Sequence, residues 1–324
     1  MIRRIAALLL VLALAGAGTG CDTTTTAPQP EVVVEAYLEA GAPLGDVVLT
    51  RSVPVTAPTP SRPAVEDATV RIERLATDGT VAATVSYDPV GGGRYRAAAA
   101  QPTVPGARYR LRVARPGGAP ITATTTVPGP IELVATQNER AVYQGPVQPS
   151  FTVAPTPVPG RQNVFIFTTT SRLNFDRLST EQLAAQLTPF YRDVFDEADD
   201  EDIRDLRVTS SPLLNAANYR ANDDGTLTID LPWIAVAFYG PNTAAVSVLD
   251  DNLFDLIRTQ QAQQGGLAPG EIPNILDRVD GGTGIFGSFA RAGADISIER
   301  PAGAPSSLRS GGDAAAVPRR KIPD

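Results

Sequence analysis

Residues 105–113 read PGARYRLRV, and this stretch decides the fold. Tyr109, Leu111 and Val113 alternate with Arg108, Arg110 and Arg112. A period of two puts the apolar set on one face of an extended chain and the guanidinium groups on the other, which is the pattern of a half-buried strand. Pro105 and Gly106 mark a turn just before it. A Tyr that enters a late strand after such a turn suits a tyrosine corner, with its hydroxyl bonded to an earlier backbone group. The arginine side is read as a solvated sheet face rather than an anion site.

Working outward, six more short runs have strand character: EVVVEAYL, DVVLTRS, ATVRIERL, TVAATVSY, GRYRAA and ITATTTV. Turn-rich segments separate them: AGAPLG, VPVTAPTPSRP, ATDG, DPVGG, QPTVPG and RPGGAP. Seven short strands at this spacing predict an immunoglobulin-like β-sandwich over residues 31–127.

Pro and Gly cluster again at Pro128 to Pro130 and at Ala154 to Gly160, so a second, β-rich module with two short helices is expected over residues 128–300. NVFIFTTT reads as a buried strand. Ser179 to Leu187 reads as a short helix opened by a capping box from Ser179 to Gln182. TLTIDLPWIAVAFYG and TAAVSVLD are strand-rich, the first interrupted at Pro232, with Trp233 and Tyr239 on one face of it and Phe238 on the other. DNLFDLIRTQQAQQ follows Asp250 or Asp251 as N-cap and is an amphipathic helix. DISIER closes the module as a strand, and the Pro/Gly/Ala/Ser tail from Pro301 to Asp324 is expected to be disordered.

Within DGGTGIFG, Gly282, Gly284 and Gly287 spell G-x-G-x-x-G. A dinucleotide fold needs a strand, a helix of ten or more residues and a parallel strand around those glycines. Only SFARAGA separates Gly287 from DISIER, so the glycines are read as a turn between strands with close backbone approach. Residues 193–205 carry eight carboxylates but lack EF-hand spacing, and are read as a solvated acidic loop rather than a calcium site. Ala221-Asn222-Asp223-Asp224-Gly225 is read as a hairpin turn rather than a metal loop. No catalytic residue, cofactor-binding residue or metal ligand is assigned.

The chain has 324 residues and no histidine. That removes Ser-His-Asp and Cys-His nucleophiles and histidine zinc and haem sites. Carboxylates, Tyr, Ser, Thr and Arg are left for any catalysis, and the chain is not expected to be an enzyme. Its start, MIRRIAALLLVLALAGAGTGC, has Arg3 and Arg4, an apolar core too short to span a bilayer, and small residues leading to Cys21. Residues 1–20 are thus a signal peptide, and residues 21–30 a polar tether. Cleavage there leaves 26 − 35 = −9 charges before the termini, so nucleic acid is not an expected partner.

Cys21 is the sole cysteine. Its setting resembles the lipobox of bacterial lipoproteins, in which the cysteine is diacylated and becomes the new N-terminus. Thr19 and Gly20 suit that motif, while Gly18 stands where Leu is usual. The alternative is cleavage nearby that leaves an unpaired surface thiol.

The order of VVVEAYLEAGAPLGDVVLTRS, VEDATVRIER, GGGRYRA, PGARYRLRV, VSVLDDNLFDLI and NILDRVDGGTGIFGSF resembles a family of exported lipoproteins of Bacteroidetes-type bacteria. That family is a domain of unknown function, number four-two-four-nine. The resemblance implies a lipid-anchored outer-membrane protein acting as an accessory binding partner of a TonB-dependent β-barrel receptor. It brings no catalytic residues. The alternatives from other classes are a carboxylate-based hydrolase acting on glycans and a structural adhesion or scaffold module.

Overall fold

The computed structural model describes residues 30–53, 62–194, 200–264 and 278–303. The expected signal peptide, Cys21, most of the expected tether and the residues from 304 on lie outside the described residues.

The fold is mainly β, and its first seven strands are the seven runs read from the sequence. They are β1 (Val32–Glu39), β2 (Val47–Arg51), β3 (Thr69–Leu75), β4 (Val81–Gly91), β5 (Arg94–Ala97), β6 (Arg108–Ala114) and β7 (Ile121–Thr126). Alternation decides their faces. Val32, Val34, Ala36 and Leu38 point into one core with Tyr109, Leu111, Val113 and Ile121. The Tyr109 hydroxyl accepts from the Val104 N–H at 2.9 Å, so the tyrosine corner is present.

The second half comprises β8 (Ile131–Gln137), β9 (Arg140–Val142), β10 (Ser150–Pro155), β11 (Val164–Ser171), then α1 (Thr180–Ala184), α2 (Pro189–Val194) and α3 (Asp200–Asp205). It continues with β12 (Val208–Ser210), β13 (Leu214–Asn215), β14 (Leu227–Asp230), β15 (Gly240–Leu249), α4 (Asp251–Gln264), β16 (Val279–Asp280) and β17 (Thr283–Glu299). The capping box of α1 is formed: the Gln182 N–H donates to Ser179 Oγ, and the Ser179 N–H donates to Gln182 Oε1.

One sheet of fourteen strands runs β12-β11-β15-β17-β1-β2-β5-β4-β3-β6-β7-β16, with β13 on β11 and β9 on β17. A second sheet, β14-β10-β8, packs Phe151 and Val153 of β10 into a core with Phe165 and Phe167 of β11. β17 holds the large sheet together. It runs parallel to β1 from Val33↔Thr283 to Glu39↔Phe289, and antiparallel to β15 from Leu249↔Phe289 to Gly240↔Ile298. The sheet also curls, because Ile121 of β7 shares a core with Phe286 of β17.

Three sequence expectations are corrected here. DISIER is not a separate strand; it is the end of the seventeen-residue β17, which runs through SFARAGA without a break. Gly284 and Gly287 therefore stand inside a strand and not in a turn. The acidic run is not simply a loop, since α2 ends within it and α3 closes it; residues 195–199 lie outside the described residues. TLTIDLPWIAVAFYG is interrupted at Pro232, as expected. Pro232 ends β14's extended course, and Trp233–Ala235 form a 3-10 turn. Trp233 and Tyr239 still face one core and Phe238 another.

Candidate functional site

A cleft of about 690 Å³ opens where the end of β7, the loops around Gly129 and Pro157, the start of α4 and residues 278–280 converge. Arg108, Thr124, Thr126, Asp250, Asn252 and Arg278 are among its walls. The key residues come from Asp250-Asp251-Asn252, where β15 turns directly into α4. An aspartate is favoured at that junction because its side chain satisfies an N–H that the first helical turn leaves open.

Asp250 does this and more. Its Oδ1 accepts from the Leu253 N–H at 2.9 Å, and its own N–H donates to the Ser288 carbonyl at 2.9 Å. Its Oδ2 accepts from the Thr125 hydroxyl at 2.5 Å, and that hydroxyl lies 2.6 Å from Ser288 Oγ. One buried carboxylate thus joins α4, β7 and β17. Asn252 repeats the connection through its amide, which donates to the Thr124 carbonyl at 2.8 Å and the Phe286 carbonyl at 2.7 Å. Asp250 is 3% exposed. Burial raises its carboxyl pKa to about 6, while the hydrogen bonds from Thr125 and nearby backbone N–H groups pull the other way.

Other charged groups of the wall are tied down. Arg278 pairs with Asp255 of α4 at 2.5 Å. Asp251 receives Arg161 Nε at 2.6 Å, and Arg161 also donates to the Leu249 carbonyl and lies over the Phe254 ring. Arg108 has no ion pair among the described residues.

Beside the cleft, the outer face of β6 carries its arginines in register with β3. Arg110 sits opposite Glu73, and Arg112 opposite Arg71. Glu73 is 4% exposed, beneath guanidinium groups of Arg71, Arg110 and Arg112 at 3.1, 2.6 and 3.1 Å. Burial alone would raise its pKa, but the hydrogen bonds and charges of Arg110 and Arg112 outweigh it and hold the carboxyl below its ordinary range. Glu73 was not singled out from the sequence. Its signal is a lone acidic residue between arginines on a strand, which becomes informative only once the β3–β6 register is known.

A family profile described as Domain of unknown function (DUF4249) matches residues 21–293. The chain belongs to that family. No curated protein matches this DUF4249 chain. Among solved structures, it is similar to a Salmonella alpha-2-macroglobulin reacted with methylamine at 13% identity and TM-score 0.22, covering 83% of this chain and 15% of that one. It is also similar to a tetra-tandem repeat in the extending region of a large adhesion protein, at 10% identity and TM-score 0.21, covering 83% and 49% of the two chains. The chain thus spans less than two thirds of the length of both.

In this DUF4249 member the glycines of the G-x-G-x-x-G pattern do close packing. A Cβ on Gly284, whose φ is +112°, would overlap the Val34 carbonyl oxygen, and one on Gly287 would lie 2.5 Å from Leu253 Cγ. The pattern therefore seats β17 against β1 and α4. Asn222 to Thr226 forms the hairpin turn expected, with the Asn222 N–H donating to the Thr226 carbonyl at 2.8 Å. Trp233 and Tyr239 pack on Tyr143, with ring centroids 5.1 and 5.9 Å away. Among the described residues, no three His, Cys, Asp or Glu side chains gather as a metal site would require.

Proposed function

We propose that this chain is a lipid-anchored binding protein of the cell envelope, held at the outer membrane through Cys21 and working as an accessory to a TonB-dependent receptor. The observation that carries the binding role is the cleft. Its volume lies within the range of small-molecule sites, roughly 300–1,000 Å³, and its walls come from both halves of the chain. The Asp250 and Asn252 ties make that wall rigid in advance, which lowers the ordering cost of binding. The anchor and the receptor are supported by the leader, by Cys21 and by the family resemblance.

One observation favours a second reading. Asp250, Asp251 and Asp280 line a single cleft, and Asp250 holds its proton up to about 6. A carboxyl with a raised pKa sharing a cleft with a second carboxyl is what glycoside hydrolysis uses. Both oxygens of Asp250 are already engaged by Leu253 and Thr125, however, which suits a clasp better than an acid that must reach a substrate.

The test is a native pull-down from detergent-solubilised membranes with Cys21 intact. Recovery of one β-barrel receptor in stoichiometric amount supports the accessory role. Recovery of no barrel turns the weight to hydrolase or scaffold. The anchor has its own test: Cys21→Ser should move the chain from the membrane pellet to the soluble fraction, and a variant that stays in the pellet after a salt wash would sink it.

A further inference from the structure

The outer face of β3, β6 and β7 shares Arg108, Thr124 and Thr126 with the cleft and carries a basic stripe beyond it. Arg108, Arg110 and Arg112 stand two residues apart along β6, about 7 Å between neighbours. Across the register, Thr126, Thr124 and Thr122 of β7 flank them on one side, and Glu73 and Arg71 of β3 on the other. The charge of this face is four arginines less Glu73 and Asp280, 4 − 2 = +2, on a chain whose formal charge is −7. Asp280 of β16, opposite Thr122 through the β7 register, bounds the face at its edge.

The arrangement is preorganised. Arg110 Nε donates to Glu73 Oε2 at 2.7 Å and Arg112 Nε to the same oxygen at 3.1 Å. One carboxylate cannot use the five N–H donors of each guanidinium, so these planar forks keep free donors for an incoming oxyanion. Their side chains remain 26–49% exposed. Threonine hydroxyls beside them add neutral donors. None of the exposed large hydrophobic side chains among the described residues lies on β3, β6 or β7, so the face offers no wedge for a lipid bilayer.

The geometry points to a binding face for an acidic polysaccharide, a linear polymer whose repeating carboxylate or sulfate groups are taken by Arg108, Arg110 and Arg112 in series. Charge complementarity and the regular spacing of the arginines argue for a polymer over a single anion. The stripe starts at the cleft wall with Arg108 and runs beyond it, since Arg110 and Arg112 are not part of that wall.

The experiment uses the full chain in neutral detergent micelles, titrated with heparin, polygalacturonate and uncharged dextran across a salt series. The two acidic polymers should bind and dextran should not. The logarithm of the affinity should fall linearly with the logarithm of salt, with a slope of about −2 to −3 for the three arginines of β6. Arg108→Gln and Arg112→Gln should each weaken binding and reduce that slope by about one. Arg94→Gln, an arginine paired with Asp46 elsewhere on the sheet, should leave it unchanged. Glu73 keeps three arginine partners in Arg108→Gln and two in Arg112→Gln, and Arg108, which has no ion pair with Glu73, decides alone if Arg112→Gln unfolds. Binding to dextran, slopes unaffected by either substitution, or equal affinity for duplex DNA or anionic vesicles would overturn the proposal.

Discussion

Replacing Asp250 by Asn isolates the charge at the heart of the cleft wall. The isostere keeps the local geometry: its Oδ1 still accepts the Leu253 N–H, and its amide donates to Thr125 Oγ1, which in turn donates to Ser288. What disappears is ionisation. In the folded chain the carboxyl titrates near 6, against 3.8 ordinarily. Between those values the folded state holds a proton that the unfolded state has released. Stability from this group is therefore fully present below about pH 4 and lost as pH rises through about 6. At about 1.4 kcal/mol per pH unit, the gap is worth about 3 kcal/mol, an order-of-magnitude figure.

The assay is urea unfolding of both chains across pH 4 to pH 8, reading the difference in unfolding free energy at each pH. Other titrating groups act alike in both chains and cancel to first order. The Asn variant should gain on the native chain by about 3 kcal/mol over that range. Parallel profiles would refute the reasoning, because they would mean that Asp250 ionises in the folded chain as easily as in water.

Two further substitutions test the packing around this site. Gly284→Ala should cost more than about 3 kcal/mol, since it adds a clash with the Val34 carbonyl to a strained φ; Gly41→Ala, at φ +79° with open space around it, should cost only about 1–2 kcal/mol. Equal losses in denaturant midpoint would show that the β1–β17 approach is not what requires glycine. Tyr109→Phe should lower stability by about 1–3 kcal/mol in thermal unfolding, because the part-buried Val104 N–H loses its acceptor; an unchanged midpoint would remove the tyrosine corner from the account of stability.

The first half was legible because its information is local. Alternation fixes faces, Pro-Gly fixes turns, and Tyr109 meets a partner five residues away. The same holds for the caps of α1 and α4, each set within three or four residues. Where the reading failed, the deciding contact was distant. Thr125 and Ser288, which turn the Asp250 cap into a three-element clasp, are 163 residues apart. Glu73 and Arg110 are 37 apart and look like ordinary surface charges until β3 and β6 are paired. No local pattern could have assigned these residues to one wall.

β17 shows why the glycine pattern misleads. SFARAGA has little strand propensity, so on local preference the segment breaks. Its extended course is imposed in relay, by β1 in parallel register up to Phe289, some 250 positions away in sequence, and by β15 from Phe289 onward. A parallel pairing has no hairpin to announce it. A nucleotide-binding loop needs glycine so that backbone can approach a phosphate. Here the approaching groups are the Val34 carbonyl at Gly284 and the Leu253 side chain at Gly287. The physical demand, room where a Cβ would stand, is the same in both cases. Only the neighbouring elements distinguish them, and they place protein, not ligand, against the glycines.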